Sequence, residues 1–155
     1  MLRWLLPTCL ALTFGAAQAP ALQIQNAWVR LVPNKTTAAY MVISNPSARP
    51  VKIVGFATPI ATRTELHQTQ FVDPTDHLGM DHGNMQGMEG AELTGMREVK
   101  EVVVPARGRL ELKPGGTHLM LVGLKQTLQA GQKVRLTLRL EGGRTQNVDA
   151  VVKLQ

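Results

Sequence analysis

Apolar and polar residues alternate along much of this chain, and glycine or proline interrupts the alternation every few residues. Leu22-Gln23-Ile24-Gln25 has a period of two, and Ala27-Trp28-Val29-Arg30-Leu31-Val32 continues in β-rich residues to the turn Pro33-Asn34-Lys35. This is the pattern of a strand with one face in a core and the other in water. Similar stretches cover residues 38–44, stopped by Asn45-Pro46-Ser47, and residues 51–56, ended near Pro59. Residues 64–71 read as extended. Strand patterning returns at 99–104, 109–113, 118–124, 134–140 and 148–154, with Gly/Pro turns at 105–108, 114–116 and 142–143. Roughly eight to nine short strands predict an all-β domain, an antiparallel β-sandwich or barrel. No helix of consequence is expected.

Two segments fall outside that pattern. The first is the N-terminus. A basic start, Met1-Leu2-Arg3, leads into an apolar run from residue 4 to 14, and Gly15-Ala16-Ala17-Gln18-Ala19 follows. That is the order of a secretory signal peptide. Cleavage is expected after Ala19, or after Ala21 so that Leu22 leads the mature chain. A membrane-spanning helix needs about 20 apolar residues, and this run breaks at Pro7 and Gly15. The expected organisation is a leader over 1–21 and one domain over 22–155. An exported chain works in the periplasm or at the outer face of the cytoplasmic membrane.

The second is residues 73–90, polar and glycine-rich with no apolar period, read as a long flexible insertion.

Composition sharpens the picture at one point. All four histidines and five of the seven methionines lie between His67 and Met120. The one cysteine, Cys9, lies in the leader. Without thiolate, a blue-copper electron-transfer site is excluded. Imidazole with thioether suits a soft monovalent ion, and copper(I) is the natural candidate; zinc prefers Cys, His and carboxylate. The net charge of +6 is spread without a dense run, and only 4% of residues are aromatic, which argues against a nucleic-acid platform. No Ser-His-Asp or paired-carboxylate constellation suggests an enzyme.

Side chains in a strand alternate between faces, so His118 and Met120 share one while Leu119 and Leu121 serve the core. His67 lies on another strand, and Met96 follows Gly95 at the end of the insertion. Two imidazoles and two thioethers from three segments make a candidate Cu(I) site. His77, Met80, His82, Met85 and Met88 stand on the insertion as a candidate accessory copper site. His77 or His82 is also a competitor of His67 for the first metal.

These residues resemble the periplasmic copper chaperone PCu(A)C family, whose motif is a His, a later Met, then 21 residues, then His-x-Met. Here 21 residues separate Met96 from His118, and His118-Leu119-Met120 completes the motif. Ala27-Trp28-Val29-Arg30, Glu65-Leu66-His67, Met96-Arg97-Glu98-Val99 and Leu112-Lys113-Pro114-Gly115-Gly116 are similar as well. The resemblance implies a Greek-key, cupredoxin-like fold. It implies a copper chaperone that delivers Cu(I) to the copper centre of cytochrome c oxidase or to an assembly protein, with His67, Met96, His118 and Met120 as ligands. A copper sequestration protein without specific delivery is the alternative. One departure stands out. Between His67 and Met96 lie 28 residues, more than the family usually places there, and the excess is the 73–90 insertion.

Overall fold

A computed structural model supplies the architecture, and it describes residues 21–71 and 94–154. Among these the chain forms β1 (Gln23–Arg30), β2 (Thr36–Ser44), β3 (Val51–Ala57), β4 (Ala61–Phe71), β5 (Thr94–Val99), β6 (Val102–Val104), β7 (Arg109–Leu112), β8 (His118–Leu124), β9 (Lys133–Leu140) and β10 (Thr145–Lys153). No described residue is helical. Residues 1–20 of the expected leader and the 73–90 insertion lie outside the described residues.

The strands form one sheet in the order β5-β4-β8-β2-β1-β10-β9-β3-β6, with β7 paired to β2. Strand β2 divides its ladder, Thr36–Ala39 against β8 and Met41–Ser44 against β7. Two corners draw the sheet toward closure. At one, the Thr64 hydroxyl of β4 donates to the Phe56 carbonyl of β3 at 2.6 Å. At the other, the buried Asn45 amide donates to the Val104 and Pro105 carbonyls while its backbone N–H donates to Gly108. The result is the all-β, barrel-like, cupredoxin-like fold that the pattern and the resemblance predicted.

Two details differ from the expectation. The pairing of β1 with β10 is parallel, Trp28 opposite Val151. These two strands come from opposite ends of the domain, so no tight hairpin dictates their direction. The expected strand at 99–104 is two strands. Val99 pairs with Leu66 on β4, whereas Val102 pairs with Ile53 on β3, so the chain changes ladders within two residues. Met96 therefore lies in a strand, not at a loop end.

The core follows from the alternation. On β9, Val134, Leu136, Leu138 and Leu140 are buried. Their neighbours on the strand are exposed or half-buried. Leu119 and Leu121 of β8 are fully buried in the same cluster, with Leu66 of β4 and Met41 of β2. Removing such a side chain from water stabilises by about 1.5–3 kcal/mol. These residues dictate which face of β4 and β8 is left for chemistry.

Candidate metal centre

Leu66 opposes Leu119 in the β4–β8 ladder, and both point into the core. By alternation, the residues on either side of them point the other way. His67 lies directly opposite His118, and Glu65 opposite Met120. Across the other edge of β4, Thr69 opposes Met96 and His67 opposes Glu98. His67, His118, Met120 and Met96 thus occupy one outward face of three neighbouring strands.

Their degrees of assembly differ. The two imidazoles are in contact, edge to face, with ring centroids 5.9 Å apart. Met120 lies two residues along β8 from His118 and is half-buried. Met96 is 68% exposed and stands diagonally from His67 on the opposite side to Met120. The histidine pair is therefore preassembled, while one thioether flanks it on each diagonal. His77, Met80, His82, Met85 and Met88 fall outside the described residues.

Each ring is held by one nitrogen. His118 Nδ1 lies 2.8 Å from the Gly116 carbonyl. That same oxygen accepts a bond of 3.1 Å from the Thr69 hydroxyl. The turn supplying it is closed by Lys113 N–H donating to Thr117 O, and Gly115 at its tip has a positive φ of 74°. Glycine adopts that conformation without steric cost. His67 Nε2 lies 3.0 Å from Glu65 Oε2, while His67 Nδ1 is buried with no hydrogen-bond partner. Arg63 occupies the other oxygen of Glu65. The Arg63 guanidinium, chiefly, holds the Glu65 carboxyl below its usual range, and the bond to His67 adds to the effect.

A buried imidazole nitrogen without a partner is costly unless something fills the position. The imidazole and thioethers that share this face offer lone pairs and no free N–H or O–H, so a cation suits the position better than a hydrogen bond. Among the described residues no three His, Cys, Asp or Glu side chains are grouped to hold a metal. The donor set on this face is of the imidazole–thioether kind, which suits a soft ion.

Sequence reasoning left Trp28 and Arg30 without a role. Trp28 stacks on Tyr40 with centroids 4.5 Å apart, Arg30 lies over the Tyr40 ring, and Tyr40 in turn meets His118 at 6.5 Å. Tyr40, backed by Trp28 and Arg30, thus packs beside His118, which is 7% exposed. Glu65, Thr69 and the Gly116 carbonyl were also missed. The signal for the first two was present, since Glu65, His67 and Thr69 follow one another at period two on a strand.

The fold and this face define a small cupredoxin-like β-domain with a largely buried pair of histidines flanked by methionines. The chain matches the LpqE-like family over residues 22–152 and belongs to it, and with it to the PCu(A)C type that its motif resembles. A relative from Leifsonia xyli subsp. xyli, Lxx21020, named as a lipoprotein, is 34% identical over 136 residues, covering 88% of this chain and 72% of that protein. The solution structure of Cu(I)-DR1885 from Deinococcus radiodurans is 42% identical with a TM-score of 0.63, covering 88% of this chain and 81% of that one. The copper-bound PCuAC domain from PmoF2 has a TM-score of 0.63 at 18% identity, covering 89% and 97%, and so shares the fold.

Proposed function

We propose that this protein is an exported copper chaperone that carries Cu(I) on His67, His118, Met120 and Met96 and gives it up to a partner. The observation that carries the reading is the in-register His67–His118 pair, with a buried unpartnered Nδ1 and a thioether on each diagonal. The 42% identical DR1885, solved as its Cu(I) form, supports the choice of metal. Copper is cargo here, and no chemical step is assigned to the protein. Thioether sulfur has no proton to lose, so its affinity does not compete with acid, and residues 22–155 hold no thiol to oxidise outside the cytoplasm.

Surface exposure of Met96 favours transfer over storage, because an incoming ligand can replace this thioether first. The recipient in this reading is the copper centre of cytochrome c oxidase or an assembly protein. Residues 1–21 act as the export signal, and the lipoprotein naming of the Leifsonia relative supports passage across the membrane. The 73–90 insertion, with His77, Met80, His82, Met85 and Met88, is assigned a second copper.

The test is a competition titration of the apo protein with Cu(I), Zn(II) and Cu(II), followed by transfer of bound copper to an apo oxidase domain. Cu(I) selectivity with transfer supports the chaperone reading. Selective binding without release supports sequestration, and preference for Zn(II) overturns both.

A further inference from the structure

We propose that Glu65 determines which nitrogen of His67 meets the metal, so that His67 uses Nδ1 while His118, directly opposite, uses Nε2. The inference rests on the reading of this face as the copper site and specifies its geometry.

A neutral imidazole has one N–H and one lone pair, and the group bonded to one nitrogen decides the role of the other. Glu65 Oε2 is 3.0 Å from His67 Nε2. A carboxylate only accepts, so the proton sits on Nε2 and the lone pair on Nδ1. That Nδ1 is the buried nitrogen without a hydrogen-bond partner. At His118 the arrangement is inverted. The Gly116 carbonyl, also an acceptor only, lies 2.8 Å from Nδ1, so the proton sits there and Nε2 carries the lone pair.

Glu65 is itself positioned. Arg63 engages Oε1 and leaves Oε2 for His67. Arg63, Glu65 and His67 occupy alternate positions on β4, so the strand spacing alone puts the three groups in line on one face. Arg63 opposes Val122 and Glu65 opposes Met120, which keeps this line beside the β8 donors. Carboxylates bonded to the distal nitrogen of a ligating histidine fix its ring and raise its basicity, and their loss typically weakens metal affinity by about 10–100-fold. Glu65 is a positioning residue in this sense and does not touch the metal.

The experiment is long-range 1H–15N correlation of the imidazole nitrogens on the 15N-labelled full chain, apo and loaded with Cu(I). In the apo protein His67 is expected with Nε2 protonated and His118 with Nδ1 protonated. Cu(I) is expected to shift Nδ1 of His67 and Nε2 of His118. Glu65→Gln retains an acceptor oxygen and keeps this pattern. Glu65→Leu averages the His67 tautomers, lets Nε2 compete for the metal and lowers Cu(I) affinity about 10–100-fold. Should Glu65→Leu fail to fold, the wild-type and Glu65→Gln spectra decide. A copper-induced shift at His67 Nε2 in the wild type overturns the proposal while leaving the copper reading intact. Unchanged affinity and coordination in a folded Glu65→Leu overturn it too. Absence of any shift at either ring overturns the copper reading itself, and the proposal with it.

Discussion

His67 and His118 face one another across the β4–β8 ladder with ring centroids 5.9 Å apart, although 50 residues separate them along the chain. Neither position is adjustable in isolation. Sliding β4 by one residue against β8 would put Leu66 in water and His67 in the core. Burial of Leu66 and Leu119 therefore holds the two imidazoles in register.

Met96→Leu and Met120→Leu should separate binding from folding. The swap conserves volume, so stability should change by less than about 1.5 kcal/mol. Cu(I) affinity should fall by about tenfold or more in each, since a soft donor is lost. Competition with a Cu(I) chelator measures the affinity, and thermal unfolding of the apo proteins checks the stability.

Deletion of residues 73–90 should lower the Cu(I) stoichiometry from two to one. Affinity at the remaining site should hold, because the four proposed donors, His67, Met96, His118 and Met120, lie outside the deleted segment. A stoichiometry of two in the deletion variant argues that the insertion holds no copper.

Gly123→Ala should destabilise the domain by about 1–3 kcal/mol. Its φ is +71°, and a Cβ there would lie 2.7 Å from the Thr62 Oγ1. The same backbone conformation turns Leu124 back into the core, out of the alternation that runs from His118 to Val122. Adding Thr62→Ala should recover only part of the loss. It removes the Oγ1 contact but leaves the Thr62 Cβ at 3.0 Å and the backbone strain, and it forfeits the hydroxyl bond to the Gly123 carbonyl. Chemical denaturation of both variants measures the difference.

Asn45→Asp should cost about 1–3 kcal/mol despite near-identical shape. The Asn45 Nδ2 donates to Arg49, Val104 and Pro105 carbonyls, while Oδ1 accepts from the Ser47 N–H and hydroxyl. An aspartate would set an oxygen against three carbonyl oxygens. Urea unfolding at neutral pH reads the cost.

Acid should loosen the β9–β10 pair on its outer face. Arg135 hydrogen-bonds Asp149, chiefly, and so lowers the aspartate below its ordinary 3.8. A carboxyl with a depressed folded-state value contributes stability that is present above the unfolded value and lost as pH falls through the folded one. Asp149→Asn should therefore flatten the acid limb of stability against pH below about pH 4. Both groups are exposed, so the effect is small and should shrink further in high salt.

The sequence by itself determined the fold class, because period-two alternation with Gly/Pro turns is a local property read without knowing partners. The run 134–140 is buried on alternate residues as its pattern requires. It also carried the donor types, and the spacing of Met96, His118 and Met120 was visible with them. What only the tertiary structure decided was pairing. Alternation says that His118 and Met120 share a face, but not that β4 lies beside β8 or that β5 continues the same face beyond it. Nor could it show that Val99 and Val102 belong to different ladders. Register is a long-range quantity, set by which buried residues meet in a closed core. The roles of Glu65, Gly116 and Tyr40 around the histidines follow from register, so they became legible only once the strands were joined.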